Sequence, residues 1–337
     1  MKFKKLLVLS ALWLTAMSAM AAIADVREKP AFPATQGFVA SEYVDDYFYL
    51  FNVDAQAFFT EGNAWGTQVS LGATGLKVAF TPDGDAYLFN DFSIAKNAWK
   101  NVFFDNENQM FVDLGSQANY RWGVEQNGDT FRLFAAGEDA GNPGWDNGEK
   151  PAYREGQYVG WVKGSNSSAC VPYLPVAEEN CINWAFVTEE NYAPYAEAIV
   201  IYNAAQALKT QLEKAEELGA NIAAQLEVYN NLASTVEELN AAAEALKPII
   251  EARQNLKKGL DDAKAGGFND TAEYDAVFAN GDATKAQLEK ALADLNAALV
   301  EWGKTHASVE NPADMTSKIT NPNYDNASYA GWLESPE

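Results

Sequence analysis

Two stretches of the chain align with each other without a gap, and this duplication constrains the fold more than any other feature. Residues 49–62 lie over residues 102–115 at a constant offset of 53. Each stretch begins with apolar residues, passes through a polar run rich in Asn, Asp and Gln that favours a chain reversal, and resumes with apolar residues before a closing glycine. A duplicated hairpin predicts a pseudo-symmetric all-β module. The duplication therefore favours a binding scaffold over an enzyme.

The repetition continues beyond these two hairpins. Residues 78–89 resemble residues 122–133, and each segment places a Gly-Asp pair between two alternating strands. A third copy is expected to open with a strand at 158–163 and to continue at 184–189. Three units of roughly 40 to 55 residues, each with about four short strands, predict a closed all-β domain.

This domain, residues 43–192, resembles the ricin-type β-trefoil, whose units carry a Gln-x-Trp signature. The signature is degenerate here, because Trp122 and Trp184 keep the tryptophan without the family's spacing. The resemblance implies a β-trefoil-like fold and leaves the family's sugar-contact residues without counterparts. An irregular β-sandwich is the alternative.

The N-terminus has the pattern of a secretory signal peptide over residues 1–21: lysines, an apolar run and then small residues. It predicts a protein secreted to the periplasm, the cell surface or the medium, with residues 22–42 as a linker. The net charge of −23 repels phosphate backbones and anionic lipid surfaces, so nucleic acid is not expected as a partner. After signal removal no transmembrane segment is expected, because no later apolar run approaches the length that a membrane helix needs.

Cysteine occurs only at Cys170 and Cys181. Two cysteines close in sequence in an exported chain predict a disulfide. The alternative is a pair of separate buried thiols. A metal site is not expected, because His306 is the single histidine.

From Tyr195 onward the composition changes to Ala, Leu, Glu and Lys, and apolar residues recur at spacings of three and four, as in amphipathic helices. The segment beginning at Thr235 matches the one beginning at Thr284, and each Thr has Glu or Gln three residues on, the signature of a capping box. This region resembles the FIVAR-type modules of bacterial surface proteins. The resemblance implies three-helix units at 195–253 and 254–305 that serve as spacers or weak binding units.

The last thirty residues leave the helical pattern. Residues 308–337 resemble the opening strand of a galactose-binding-like β-sandwich of Bacteroidetes secreted proteins, and only the beginning of such a domain is present. The fold class expected for the whole chain is therefore multi-domain: an all-β, β-trefoil-like N-terminal domain followed by all-α three-helix-bundle repeats.

The chain has few residues that could form one of the common catalytic sites. The single histidine, His306, follows the last helical pattern and is expected to be solvated, so a Ser-His-Asp or Cys-His site is not expected. The pair Asp83 and Asp85 flanks Gly84, which fits a tight hairpin turn better than a glycosidase acid pair. No catalytic residues, metal or cofactor are expected.

A polar, Gly-rich loop at 136–157 carries aromatic residues, and it is the place where a ligand is expected. Aromatic rings on such a loop either fold back onto the domain or form a platform for the apolar face of a sugar. Amide and carboxylate groups beside them could hydrogen-bond hydroxyl groups. The candidate ligand-binding residues are Trp145, Tyr153, Asn142, Asp146 and Asn147.

The expected function is a non-catalytic binding protein for a glycan or cell-surface ligand, held away from its neighbours by helical spacers. One alternative is a structural adhesin in which the β domain is a protein-interaction module. Another is the accessory part of a carbohydrate-active enzyme whose catalytic domain lies outside this chain.

Overall fold

A computed structural model describes residues 22–62, 67–106, 109–113, 121–136, 153–164 and 169–306. The chain divides into two compact units. One comprises residues 28–203 and is called the β head. The other comprises residues 1–27 together with 204–337 and is called the helical unit. The predicted signal peptide at 1–21 and the predicted β-sandwich start at 308–337 lie outside the described residues.

Thirteen strands occur in the described part of the β head. They are β1 Phe48–Asn52, β2 Ala57–Glu61, β3 Val69–Gly72, β4 Lys77–Asp83, β5 Ala86–Ser93, β6 Ala98–Asn106, β7 Gln109–Asp113, β8 Trp122–Asn127, β9 Thr130–Ala135, β10 Gln157–Val162, β11 Val171–Pro175, β12 Asn180–Cys181 and β13 Trp184–Val187. Five helices follow in the part of the chain that the structure describes: α1 Glu189–Glu217, α2 Ala223–Asn230, α3 Val236–Ala265, α4 Ala272–Ala279 and α5 Lys285–His306.

Six strands of the β head close into an antiparallel barrel. The pairs run β1–β13, β13–β9, β9–β8, β8–β5, β5–β4 and β4–β1, so the last strand returns to the first. β1 and β5 each share one edge between two partners, and this lets the β2–β3 and β6–β7 hairpins continue the sheet outside the ring. The duplicated stretches at 49–62 and 102–115 form the β1–β2 and β6–β7 hairpins, so both predicted hairpins are confirmed.

Aromatic side chains fill the barrel. Trp122 and Trp184 are fully buried; the indole N–H of Trp122 donates to the Val102 carbonyl and that of Trp184 to the Val159 carbonyl. Buried indoles need such a partner for their N–H.

The first part of α1 covers the outer face of β1 and β2. Tyr192, Tyr195 and Ile199 recur at three- and four-residue spacing and pack against Phe51 and Phe58. The stripe that predicted an amphipathic helix therefore begins by burying the outer surface of the β head.

In the helical unit α3 packs against α2, α4 and α5, and α4 also packs against α5. Both predicted capping boxes are present: Glu238 N–H donates to Thr235 Oγ1 and Gln287 N–H to Thr284 Oγ1, and each Thr backbone N–H donates back to the Glu or Gln side chain. These bonds satisfy N–H groups that the first helical turn leaves without partners. Residues 22–27, here called the N-terminal strap, also belong to this unit.

The predicted fold class and the resemblances to the β-trefoil and to FIVAR-type modules are wrong. The three-unit scheme needs equivalent hairpins, yet β10 and β11 form a separate three-stranded sheet with β12, whereas β2–β3 and β6–β7 continue the barrel sheet. α3 runs unbroken through the boundary expected at residue 253, so FIVAR-type repeats of separate three-helix bundles do not occur in the described region. The chain is a mixed β and α protein, a barrel domain followed by one helical region.

Candidate functional site

One of the predicted ligand-binding residues, Tyr153, lies within the described part of the chain. It is 56% exposed, and its ring meets the ring of Phe134 edge-on with 5.4 Å between centroids. Trp145, Asn142, Asp146 and Asn147 lie outside the described residues. The site is therefore built from Tyr153 and its neighbours in the β head.

Tyr153 borders a cleft of about 210 Å³ between the β8–β9 hairpin and the start of β10. Eight described residues line this cleft: Val124, Glu125, Phe134, Tyr153, Arg154, Gly156, Gln157 and Tyr158. The volume lies below the range of about 300–1,000 Å³ for pockets that hold drug-sized ligands. A single small ring or the end of a chain is the kind of ligand that such a cleft accommodates.

The β8–β9 register brings the aromatic floor of the cleft into place. Phe134 stands opposite Gly123, and a Cβ atom on that glycine would overlap the Phe134 ring. Any other residue at 123 would push the ring away, so the glycine sets the position of Phe134 and, through it, of Tyr153. Neither Gly123 nor Phe134 was among the predicted site residues.

A hydrogen-bonded network forms the polar wall of the cleft. Glu125 accepts from the Tyr158 hydroxyl at 2.7 Å and from Arg132 Nη1 at 3.3 Å. Arg132 also donates from Nε to Asn183 Oδ1 at 3.2 Å, and its guanidinium lies over the Tyr158 ring. Burial, with the bond to Glu125, raises the pKa of Tyr158, so this hydroxyl stays protonated and keeps donating. Glu125, Arg132 and Tyr158 therefore hold one another in position.

These residues suit binding rather than catalysis. Glu125 is the sole carboxylate among the described lining residues, and glycoside hydrolysis uses two carboxyl groups across the bond. Arg154 lies over the Tyr173 ring at 4.0 Å, so its charge faces an aromatic partner. The cleft offers one exposed ring, an amide at Gln157 and the two carboxylate oxygens of a fixed Glu125.

The predicted turn at Asp83 and Asp85 is confirmed. Gly84 has a φ of 66°, in the left-handed region that such a turn needs. Arg121 Nη2 donates to Asp85 Oδ1 at 2.9 Å, so this acid pair is engaged in a surface ion pair.

The predicted disulfide is absent, because Cys170 and Cys181 are separate buried thiols. β10 is the middle strand of its sheet, with β11 on one side and β12 on the other. Cys170 leads into β11 and Cys181 lies in β12, so about two strand spacings, ~10 Å, separate them. A disulfide needs Cα atoms within about 7 Å. Closeness in sequence could not reveal that a third strand runs between them.

Both thiols should be unreactive in the folded protein, because burial raises the pKa of each and the thiolate is the reactive form. We expect no reaction with Ellman's reagent under native conditions and reaction of both thiols in denaturant without reductant. If neither thiol reacts in denaturant, the two sulfur atoms are joined in a disulfide.

A second polar feature lies inside the barrel. Asp91 on β5 stands opposite Val78 on β4 and Lys100 on β6, and it is fully buried. Neither of its carboxylate oxygens meets a hydrogen-bond donor among the described residues. Burial chiefly, with repulsion from Glu61, raises its pKa well above 3.8, against the opposing attraction of Lys100. A carboxyl in such surroundings is held in its neutral form.

In the described ranges, no cluster of three or more His, Cys, Asp and Glu residues is suited to a metal ion. Within those same ranges, no helix has the length and apolar character to cross a bilayer. Comparisons of the chain with family models, with curated proteins and with solved structures give no match.

Proposed function

We propose that the β head binds a neutral sugar in the cleft beside Tyr153, as a non-catalytic module that works outside the cytoplasm. The observation that carries this proposal is the half-exposed Tyr153 ring, braced by Phe134 next to a fixed hydrogen-bonding wall. A sugar ring presents an apolar face of C–H groups that stacks on such a ring, while its hydroxyl groups bond to polar atoms at the edge.

The charges around the cleft favour a neutral ligand. Arg132 is engaged by Glu125 and Asn183, and the whole chain carries a net charge of −23. An anionic ligand would approach against this field and would meet the Glu125 carboxylate at the wall. A neutral glycan is unaffected by the field. The N-terminal signal-peptide pattern supports the expected location of such a ligand, outside the cell.

Replacing Tyr153 by alanine should abolish retention on neutral polysaccharides while changing thermal stability little, because the exposed ring contributes mainly to the ligand surface. Retention can be measured by affinity gel electrophoresis across a panel of soluble glycans, with melting followed by circular dichroism. Gln157→Ala should weaken binding less, since one neutral hydrogen bond contributes about 0.5–1.5 kcal/mol.

Tyr43→Ala is the matched control, because Tyr43 is 63% exposed in the same unit and does not line the cleft. It should retain the glycan as the wild type does. Equal retention by Tyr153→Ala would refute the site. If the wild-type protein binds none of the glycans in the panel, the β head is better explained as a protein-interaction module.

A further inference from the structure

The N-terminal strap is bonded to residues about 200 positions away in sequence. Arg27 donates from Nη1 to the Tyr229 carbonyl at 2.8 Å and from Nη2 to the Asn231 carbonyl at 2.7 Å. Both carbonyls lie at the C-terminal end of α2, where a helix leaves carbonyl groups without backbone partners and where a positive charge is favoured. One guanidinium thus closes the end of α2.

A second arginine makes the same pair of bonds at α4. Arg253 donates from Nη1 to the Phe278 carbonyl at 2.9 Å and from Nη2 to the Asn280 carbonyl at 2.5 Å. Phe278 and Asn280 occupy the positions at α4 that Tyr229 and Asn231 occupy at α2. The two short helices therefore end in the same kind of arginine-binding carbonyl pair.

The source of the arginine differs between the two places. Arg253 is part of α3 and is fully buried within the helical unit. The sequence of α1 matches that of α3 at an offset of 48, which places Leu208, Leu212 and Ala215 over Leu256, Leu260 and Ala263. At this offset the residue that matches Arg253 is Ala205, whose side chain has no donor. The carbonyl pair at α2 is consequently open to an arginine from outside the helices, and Arg27 of the strap fills it.

The other strap contacts complete a peptide-binding surface. Asp25 Oδ1 accepts from Gln206 Nε2 and from Lys209 Nζ, each at 2.9 Å. The Tyr229 hydroxyl donates to the Ala24 carbonyl at 3.2 Å. These partners recognise an acidic side chain, an arginine and one backbone carbonyl, all within four consecutive residues, and both side chains are bound through charge-assisted hydrogen bonds.

We propose that Gln206, Lys209, Tyr229 and Asn231 form a binding site for a short peptide of the pattern Asp-x-Arg. Its resident ligand is the N-terminal strap of the same chain. In a chain that begins at residue 22 the strap is the free end, held by these side-chain and carbonyl bonds, and it exchanges with a free peptide of the same sequence. Occupancy stabilises the helical unit by mass action, as for any ligand that binds only the folded state.

The test uses a chain that begins at residue 22 and a fluorescein-labelled synthetic peptide of residues 22–29. In the wild type the tethered strap competes at a high effective concentration, so labelled peptide should bind weakly. In the double variant Asp25→Asn/Arg27→Gln the site is vacated, and fluorescence anisotropy should show binding at least tenfold tighter than to the wild type. Labelled peptides that carry Asp25→Asn or Arg27→Gln should bind at least tenfold more weakly to that variant.

Lys29→Gln is the control, because it removes one positive charge beside the strap without touching these contacts, Lys29 lying over the Phe32 ring. It should behave as the wild type. A second readout needs no peptide: in Asp25→Asn alone, trypsin should cut after Arg27 at least tenfold faster than in the wild type. Equal peptide affinity for the wild type and the double variant, no binding to either, or an unchanged tryptic rate would each overturn the proposal.

Discussion

Replacing Asp91 by asparagine should stabilise the β head at neutral pH and flatten its dependence on pH. The barrel buries this carboxyl without a hydrogen-bond donor among the described residues, and burial raises its pKa. In the unfolded chain the same group ionises near its ordinary value of 3.8. The folded state therefore keeps a proton that the unfolded state has released.

The sign of the effect follows from this difference in bound protons. Below about pH 4 both states are protonated, and Asp91 adds no pH dependence. Above it the unfolded state binds fewer protons, so the free energy of unfolding falls by at most about 1.4 kcal/mol per pH unit until the raised native pKa is reached. Burial chiefly, together with repulsion from Glu61 and the opposing attraction of Lys100, sets the native pKa at which that loss ends.

The asparagine amide of the Asp91→Asn variant has no proton to release in this range, so the stability difference between the variant and the wild type should grow as the pH rises from 4. Denaturant unfolding followed by tryptophan fluorescence measures it, because Trp122 and Trp184 are buried in this barrel. Asp129→Asn, at an exposed turn, is the matched control and should leave the pH profile unchanged. Parallel profiles for Asp91→Asn and the wild type would contradict the expectation.

Replacing Leu288 by aspartate should unfold the packing of α3, α4 and α5. Leu288 is fully buried in a cluster with Leu256, Leu260 and Leu295. Loss of these apolar contacts lowers the free energy of unfolding by about 2–5 kcal/mol in a core. The buried carboxylate has no partner and lowers it by several kcal/mol more. Together these losses are comparable to the whole free energy of unfolding of a typical domain.

Helix content at 222 nm during thermal melting measures this loss. Leu232→Asp is the matched control, because Leu232 is 68% exposed in the same helical unit. It should melt close to the wild type. A Leu288→Asp protein with wild-type helix content and melting temperature would mean that this side chain does not support the core.

Local patterns predicted local structure in this chain. The polar run at 52–56 predicted the β1–β2 hairpin, since Asn52 Oδ1 accepts from the Ala55 N–H and Gln56 adopts a positive φ of 53°. Thr235 and Thr284 predicted their helix starts, because a capping box depends only on residues three apart.

Features that depend on distant pairing could not be predicted in the same way. The cleft joins Glu125 and Phe134 to residues 153–158, and it exists because β10, a strand of the separate three-stranded sheet, packs against β9. Tyr153 was predicted from its place on that loop, but nothing near it in sequence pointed to Glu125. Likewise, the order β11-β10-β12, which separates the two cysteines, is a property of the sheet and not of their spacing.

The unbroken course of α3 has a consequence for changes in chain length. Leu246 and Leu256, buried residues on either side of Pro248, belong to one helix, so the angle between their two faces is set by the number of residues between them. Each inserted residue turns one face by about 100° relative to the other. An insertion of seven residues restores the helical phase to within about 20°. A single inserted residue should therefore misalign one of the two buried faces of α3, whereas seven residues would keep the two faces aligned and lengthen the helix by about 10 Å.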